Sequence, residues 1–450
     1  MVLHKLMRWI RKGHSPRHEY TDTFALLFLT GMLGAAAYGI APEHLSNTHA
    51  QYLSKVLQAL ARGRFEAIGF SYPPLPLFLL LPWPKPWATV LLGALGLAGV
   101  LYLVKEEIQK RKQRFLLALP VTFFLSPIPV ELIVKDYAQV MALFLLLLAW
   151  KFYIRWLEKR LIFFGFASGL TLGVAIYVTP LALLFALIFA MGFGLFGKWP
   201  LATWATGGLI LFFPVAIGIG AWAYLAWLFK GSGVFLYDGL QHPAPPFWVL
   251  LASTPVYWAV ALIILARPSV QSFVYLSPLV ALGLANQLGM GYTLAAGVGL
   301  LGFFALSGMP RRVPVWGKAL FVAASLAQGV WLWRTVPLPQ VTPEETIEMA
   351  IGRALTHATA QDILTDDSTA YRFVARAGTA RIFLLPYDPG YSLALSAPSL
   401  FVRYVLVCRG PSALYSLYWE SPPKDFYAEW SFSGCKFYRK RGAPPLYAEP

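Results

Sequence analysis

Residues 41–87 read APEHLSNTHAQYLSKVLQALARGRFEAIGFSYPPLPLFLLLPWPKPW, and this stretch separates the first long apolar run of the chain from the second. The part between Ser46 and Arg64 has the pattern of a short amphipathic helix, in which apolar residues recur at i, i+3, i+4 and i+7. Its apolar stripe consists of Leu53, Val56, Leu57 and Leu60. The polar residues largely outside the stripe are Lys55, Gln58, Arg62 and Arg64. A helix of this kind lies on a membrane surface rather than crossing the membrane.

The composition outside this stretch is that of a membrane protein. Of the 450 residues, 58% are hydrophobic and only 13% are charged, whereas soluble domains carry about 25% charged residues. This excludes a soluble globular protein and predicts an all-α polytopic membrane protein. The formal net charge is +16, but the basic residues lie mainly in short loops between apolar runs. Membrane orientation explains them better than nucleic-acid binding, and we expect no nucleic-acid partner.

Apolar runs long enough to cross a bilayer number about eleven, at roughly 17 to 25 residues each. They lie near 24–41, 88–104, 115–134, 137–154, 161–178, 181–197, 201–228, 247–266, 270–287, 291–308 and 319–333. The sequence Ser126-Pro127-Ile128-Pro129 should end the third of these helices early. The proline-bounded run 75–82 is too short to span and is expected at the membrane interface.

Loop charges set the predicted orientation. Five basic residues lie in the first 20, 105–114 carries five basic against two acidic residues, and 155–160 carries three against one. With eleven spans these segments share one side, which the positive-inside rule makes cytoplasmic. The sequence therefore predicts a transmembrane domain over 1–335 with a cytoplasmic N-terminus. The first outer loop, 42–87, and a small C-terminal domain, 336–450, are then extracytoplasmic.

The polar C-terminal segment has the pattern of a small α/β domain. Helical periodicity covers 343–357 and 368–378, and strand-like runs follow these helices. The predicted strands are 363–367, 381–385, 403–408 and 435–440. The chain's two cysteines, Cys408 and Cys435, either form a disulfide in an extracytoplasmic domain or are small core residues in neighbouring strands. Asp362, Asp366 and Asp367 are interpreted as turn or cap residues rather than as a metal site.

Motifs for nucleotide, dinucleotide, zinc or serine-nucleophile chemistry do not occur in this sequence in a usable context. The spans also hold few charges and no chain of buried carboxylates of the kind that proton-coupled transporters use. Both observations disfavour a transporter. What remains is a set of polar residues gathered at one predicted face of the membrane.

Three stretches together resemble the GT-C superfamily of integral membrane glycosyltransferases, of the mannosyltransferase and aminoarabinose-transferase kind. SNTHAQYLSKVLQALARGR followed by SYPPLPLFLLL is similar to the family's juxtamembrane helix and PPL sequence. LSPIPVELIVKDYAQV resembles its second outer loop, and FASGLTLGVAIYVTPLALLFALI resembles its glycine-rich helix hairpin. A long loop before a mid-chain span and a polar C-terminal domain match the family's usual layout.

The resemblance implies an inverting transferase that moves a sugar from a polyprenyl-phosphate donor to an acceptor at the outer face. Such chemistry needs a base for the acceptor hydroxyl and cationic or metal groups for the departing lipid phosphate. The implied base is Glu43 or Asp136, with His44 or His49 as substitutes. In the family an acid lies near the start of the juxtamembrane helix, where this sequence has Asn47-Thr48-His49. A catalytically inactive scaffold or accessory subunit is therefore the alternative.

Further residues of the outer loops are candidates for substrate binding, and each also has a plain structural interpretation. Arg62 and Arg64 could hold a phosphate group or lipid headgroups, and Tyr72 could stack on a sugar or anchor at the interface. The remaining binding candidates are Asn47, Lys135 and His242. Lys135 could equally pair with Asp136, which could itself cap the next helix.

Cofactor and partner predictions follow from the same resemblance. The lipid-linked sugar is the expected substrate, and a divalent cation is one alternative for the groups that stabilise the leaving phosphate. Asp238 and His242 could bind such a cation, although two such residues in a proline-rich loop are usually surface residues. Expected partners are membrane lipid, the polyprenyl-phosphate sugar and a protein contacted through the C-terminal domain. The predicted location is the cell membrane.

Overall fold

The computed structural model describes residues 16–64, 70, 72–197, 200–231, 244–266, 275–310 and 312–446. The described helices before the C-terminal segment, in chain order, are α1 Pro16–Ile40, α2 Asn47–Arg62, α3 Pro74–Leu80, α4 Pro86–Arg111, α5 Ala118–Leu125, α6 Ile128–Lys135, α7 Tyr137–Lys159, α8 Ile162–Ala175, α9 Leu181–Gly197, α10 Leu201–Lys230, α11 Phe247–Ala252, α12 Pro255–Leu265, α13 Ser277–Gln287, α14 Leu294–Gly308 and α15 Val315–Thr335.

Four of these helices, α4, α7, α10 and α15, are long and apolar enough to cross a membrane. A fifth candidate is the bent pair formed by Arg114–Leu125 and Ile128–Lys135, whose two parts differ in direction by 53°. The protein is therefore membrane-integral and mostly helical. The predicted count of eleven spans is not confirmed within the described residues.

The shorter helices end where the sequence interrupts their hydrogen bonding. Helix α5 ends at Leu125, directly before Ser126-Pro127, as predicted. The apolar run 247–266 is divided into α11 and α12, because Pro255 cannot donate a backbone hydrogen bond to a continuous helix. Continuous apolar sequence thus overestimates helix length at these two places, whereas Pro214 lies inside the unbroken helix α10.

The described residues form two compact units. The first, here called the helical unit, comprises residues up to 40, 90–222 and 241–338. The second, here called the sheet unit, comprises 41–89, 223–240 and 339–450. Helices α2 and α3 of the first predicted outer loop therefore belong to the same compact unit as the C-terminal segment.

The C-terminal part of the sheet unit is an α/β structure. Its helices are α16 Pro343–Leu355, α17 Tyr371–Ala377, α18 Tyr391–Ser396, α19 Pro398–Phe401 and α20 Ala413–Tyr418, and its strands are β1 Ile363–Leu364, β2 Phe383–Leu384, β3 Tyr404–Cys408, β4 Phe426–Phe432 and β5 Cys435–Lys440. The strand order is β2-β1-β3-β5-β4. Strand β1 is parallel to β2 and β3, whereas β5 is antiparallel to both β3 and β4.

The predicted strands β1, β2, β3 and β5 are confirmed, and β4 was not predicted. Cys408 and Cys435 are register partners on the adjacent strands β3 and β5, and they form a disulfide. Both cysteines are also buried in the hydrophobic core of the sheet unit. Of the two alternatives offered by the sequence, the disulfide is the one present, and the bonded cysteines lie in neighbouring strands of the core.

Candidate functional site

The predicted amphipathic helix is α2, and its two ends are fixed by local hydrogen bonds. The Ser46 hydroxyl caps the N-terminus by accepting a hydrogen bond from the backbone N–H of His49 at 3.1 Å. At the other end Gly63 adopts the left-handed conformation, with φ of 63°, and its N–H bonds the carbonyl of Ala59. Glycine takes this conformation without the steric penalty of a Cβ atom, so the helix stops here.

Helix α2 is buried on nearly all sides, which differs from the predicted surface helix. Leu57 belongs to the hydrophobic core of the C-terminal sheet. Lys55 and Gln58, expected on the solvated face, are also buried, whereas Leu60 is 48% exposed. The prediction was wrong because the helix packs against α3 and α17 of its own compact unit, so both of its faces have protein neighbours.

Lys55 lies in a buried polar cluster. Its ammonium group pairs with the carboxylate of Asp367, which also accepts a hydrogen bond from Gln58 Nε2 at 3.1 Å. The ring centroids of Tyr72 and Tyr387 lie 5.6 Å and 5.2 Å from Lys55 Nζ. Burial alone would lower the pKa of Lys55, but the Asp367 carboxylate and the two tyrosines outweigh it and raise that pKa. Lys55 is therefore a cation inside the protein.

Arg62 makes a second connection at the C-terminal end of α2. Its guanidinium binds both carboxylate oxygens of Asp388 and donates to the carbonyl of Phe383 at 2.6 Å. A two-pronged contact of this kind fixes the guanidinium plane as well as its charge. Arg62 therefore fastens α2 to the chain that follows β2.

Arg372 makes the third connection, at the N-terminal end of α2. It donates to Asn47 Oδ1 and to the carbonyl of Leu45, both at 2.8 Å. The same guanidinium pairs with Glu348 at 2.7 Å and with Glu345 at 3.1 Å. Asn47, a predicted substrate-binding residue, is thus held by the C-terminal segment.

His44 and Glu43 precede this end of α2. His44 Nδ1 lies 2.9 Å from Glu345 Oε2. Glu43 has a φ of 62°, which is unusual for a residue other than glycine, and its carbonyl accepts a hydrogen bond from Arg376 at 2.8 Å. The Glu43 carboxylate is half exposed, 3.7 Å from Arg353.

His49, Tyr72 and Arg64 occupy three different environments. The His49 imidazole is buried, with Nδ1 at 3.0 Å from the hydroxyl of Thr89. Tyr72 is partly buried beside Lys55; burial raises its pKa more than the nearby ammonium lowers it. Arg64 is exposed just beyond the end of α2. Of these three, Arg64 has the side chain most accessible to a ligand.

Asp136 and Lys135 belong to the helical unit. Asp136 is buried and caps α7, with Oδ1 accepting from the backbone N–H groups of Ala138 at 3.0 Å and Gln139 at 3.3 Å. Lys135 pairs with Glu131 one helical turn away, at 3.1 Å. The capping role proposed as an alternative for Asp136 is therefore present.

The possible metal ligands Asp238 and His242 lie outside the described residues. Within the part of the chain that the structure describes, no group of three or more His, Cys, Asp or Glu residues is placed to hold a metal ion. Asp362 pairs with Arg403, and Asp366 accepts hydrogen bonds from Ser368 at a turn. Of the three acids interpreted as turn or cap residues, Asp366 has that role, whereas Asp362 and Asp367 form ion pairs with Arg403 and Lys55.

The residues that sequence reasoning missed are the acids that follow the parallel strands. Asp367 comes three residues after β1, and Asp388 four residues after β2. Ligands of open α/β sheets bind at the carboxyl ends of such strands. In this protein Lys55 and Arg62 of α2 form ion pairs with these two aspartates. The available signal was two basic residues on the predicted helix and two aspartates after predicted strands, without any indication that they pair.

Comparisons with known proteins give a likeness of fold over nearly the whole chain. No family model matches the sequence, and no curated protein does. A crystal structure of ArnT from Cupriavidus metallidurans bound to undecaprenyl phosphate is similar with a TM-score of 0.62 and 12% identity, over 95% of this chain and 99% of that one. The apo form gives a TM-score of 0.58 and 12% identity, over 94% and 98%. The chain therefore has the fold of ArnT, in agreement with the membrane fold expected from the sequence.

Proposed function

We propose that this protein is an inverting GT-C-type glycosyltransferase that uses a polyprenyl-phosphate sugar as donor. The observation that carries the proposal is the match of fold along 95% of the chain to ArnT bound to undecaprenyl phosphate. The acceptor is a hydroxyl-bearing glycan, lipid or protein at the extracytoplasmic face of the membrane. The proposed products are the glycosylated acceptor, with inverted anomeric configuration, and free polyprenyl phosphate.

Glu43 is the proposed base. Its carboxylate would take the proton of the acceptor hydroxyl while that oxygen attacks the anomeric carbon, and the bond between this carbon and the lipid phosphate would break. The observation that supports this role is that the Glu43 carboxylate is half exposed, 3.7 Å from the Arg353 guanidinium. Arg64 is the proposed partner of the lipid phosphate, because it is exposed and guanidinium matches phosphate oxygens.

The other sequence candidates have less direct proposed roles. His44, Asn47 and Arg62 are proposed to position the segment around Glu43, since their polar groups are engaged by Glu345, Arg372 and Asp388. His49 is bonded to Thr89 and is proposed to act only by fixing α2. Tyr72 is proposed to contact the sugar or to shield Lys55. Lys135 is proposed to bind the substrate beside Asp136.

Asp136 is the second proposed catalytic carboxylate, and its capping role allows a clean test. Asparagine caps helices about as well as aspartate, so Asp136→Asn removes the charge and retains the hydrogen bonds to the start of α7. Asp136→Ala removes both and should cost about 1 kcal/mol of stability. Loss of transfer in the asparagine variant, without a change in thermal stability, would assign catalysis to the charge.

The test is transfer of radiolabelled sugar from a panel of polyprenyl-phosphate sugars in proteoliposomes. Wild type is expected to transfer from at least one donor, whereas Glu43→Gln/Asp136→Asn should lose transfer by at least about a hundredfold, the lower range for general acid–base catalysis. The matched control is Glu420→Gln/Asp425→Asn, which removes two exposed carboxylates elsewhere. Equal activity of the two double variants would reject the assigned site.

A catalytically inactive scaffold is the second candidate function. The observation that favours it is that the position of the family's first-loop acid is taken by Asn47-Thr48-His49, and that Asn47 and His49 are both engaged internally. An inactive relative would show no transfer from any donor, although the folded protein would still bind the lipid phosphate. Transfer by wild type would exclude this candidate.

The proposed orientation places the N-terminus in the cytoplasm and the C-terminal segment outside. It is supported by the basic residues of 105–114 and 155–160. The Cys408–Cys435 disulfide gives independent support, because disulfides persist in oxidising compartments.

A further inference from the structure

The helical unit contains a pocket that the proposed transfer reaction does not use. It lies between the C-terminal halves of α4 and α7 and the end of α14, and it is open on one side; the empty space, with the adjoining solvent counted, is about 660 Å³. One wall is apolar and consists of Leu103, Leu147, Ile154, Phe303 and Leu306. The rest of the lining carries charged side chains. They come from the basic segments 105–114 and 155–160 and from the part of α7 that directly precedes residue 155. The lining therefore combines an apolar part, here called the apolar wall, with a charged part, here called the charged mouth.

Within that mouth, one carboxylate is shared by two cations. Glu106 accepts a hydrogen bond from Arg155 at 2.6 Å and pairs with Lys151 through its other oxygen. Two positive groups and one negative group leave a net charge of one positive unit at this point. All three side chains are partly exposed toward the pocket rather than enclosed.

The remaining charges at the mouth are already paired. Glu107 binds Arg111 at 2.8 Å, and Lys110 binds Glu158 at 3.2 Å. Arg111 also donates to the carbonyls of Ser307 and Met309 at the end of α14, where it offsets the helix dipole. The cationic excess is therefore confined to Lys151 and Arg155.

We propose that this pocket binds the phosphate headgroup of an anionic phospholipid, with part of an acyl chain against the apolar wall. Basic pockets between transmembrane helices bind anionic headgroups on the cytoplasmic side, where the loop charges place these helix ends. The apolar wall favours a lipid over a free phosphate ion, because an inorganic anion would contact only the charged mouth. This proposal is independent of the transfer reaction.

Removing the charge of Glu106 is predicted to strengthen lipid binding. A variant that only destabilised the pocket would weaken it. In the unliganded pocket its carboxylate competes with a lipid phosphate for Lys151 and Arg155. Glu106→Gln removes the competitor and should strengthen binding of anionic lipid by at least about fivefold, the equivalent of about 1 kcal/mol per cation made available. If the cations only neutralised helix ends, this variant would gain no lipid affinity.

The experiment is a lipid titration of the purified full-length protein in detergent, followed by native mass spectrometry. Wild type should bind one phosphatidylglycerol more tightly than phosphatidylcholine. Lys151→Gln/Arg155→Gln should weaken phosphatidylglycerol binding about thirtyfold, roughly fivefold for each cation, and Leu103→Trp should weaken it by filling the apolar part. Lys159→Gln, which removes a cation from the same helix outside the pocket, should match wild type.

Three results would overturn the proposal. The first is equal phosphatidylglycerol affinity in wild type, Lys151→Gln/Arg155→Gln and Glu106→Gln. The second is equal affinity of wild type for the anionic and the zwitterionic lipid. The third is displacement of the lipid by millimolar inorganic phosphate, which would identify a free-anion site. Thermal unfolding of each variant shows whether it is folded. If Lys151→Gln/Arg155→Gln is not folded, the phosphatidylglycerol affinity of Glu106→Gln tests the proposal.

Discussion

Single carboxylates in the sheet unit connect segments that are far apart in the sequence, and Glu345 is the clearest case. It contacts His44, before α2, and Arg372, in α17. Burial alone would raise the pKa of Glu345, but the hydrogen bonds and charges of His44 and Arg372 outweigh it and lower that pKa. A carboxylate with a lowered pKa stabilises the folded state only while it is ionised.

The pH dependence of stability follows with a defined sign. The contribution of Glu345 should be fully present above the ordinary glutamate pKa of about 4.3, and it should be lost as the pH falls through the lower pKa of the folded state. Thermal unfolding between pH 7 and pH 3 should therefore show a smaller acid-induced decrease in Glu345→Gln than in wild type. Glu344→Gln, at the exposed neighbouring position, is the control. Parallel pH profiles for wild type and Glu345→Gln would contradict the assignment.

Among the helices, α2 has the most consequential contacts, because it carries or adjoins most of the candidate site. It is attached to the C-terminal segment near its start by Arg372, in its middle by Lys55 and at its end by Arg62. Leu57 adds an apolar contact in the core of the sheet unit. The C-terminal segment therefore acts as the support that fixes the position of α2.

The Lys55–Asp367 pair provides a test at this level. Asp367→Asn would leave a buried ammonium group without its counter-charge, which typically costs about 3 to 5 kcal/mol. Lys55→Met/Asp367→Leu removes both charges and should be less destabilising than the single variant. Thermal unfolding and hydrogen exchange of α2 would measure both. A double variant as unstable as Asp367→Asn would show that the pair is not the origin of the effect.

The sequence predicted helix ends and strands well where they depend only on neighbouring residues. These are the places where local hydrogen bonds or the periodicity of apolar residues decide the structure. Ser46 begins α2, the Ser126-Pro127 break ends α5, and four strands have the predicted periodicity. Strand β4 was missed although its signal is present: Phe426, Ala428, Trp430 and Phe432 alternate with other residues, and a Ser-Gly turn leads directly into β5. The apolar stripe of α2 was correct for Leu53, Val56 and Leu57 but not for Leu60, because packing against two neighbours replaced the expected one-sided burial.

The site was harder to predict than the fold. Glu43, His44 and Asn47 were selected because their side chains suit catalysis or substrate binding. Their partners in the structure are more than 300 residues away in the sequence. Distance along the chain hides such pairs from periodicity and spacing. Lys55 and Asp367 were both visible as charged residues, and only the fold shows that they form one buried ion pair.

The whole molecule combines a membrane-integral helical unit with a sheet unit that contains a disulfide. The proposed orientation predicts which cysteines are accessible from which side. Cys408 and Cys435 are buried, so the probe on the C-terminal segment is Glu420→Cys, at an exposed position, which should react in intact cells with a membrane-impermeant maleimide. A cysteine introduced by Gln109→Cys, in the basic segment 105–114, should react without reductant but only after permeabilisation. Labelling of Gln109→Cys in intact, unreduced cells would reverse the orientation.

Glycosyl transfer from a polyprenyl-phosphate donor is the central claim, and its stoichiometry tests it most directly. Wild-type protein in proteoliposomes is given a polyprenyl-phosphate sugar and an acceptor, and both products are quantified over time. The proposed reaction predicts one free polyprenyl phosphate for each glycosylated acceptor, with inverted anomeric configuration, and at least about a hundredfold less of both products from Glu43→Gln. Folded wild-type protein that forms neither product with any donor of the panel would contradict the claim and favour the inactive scaffold.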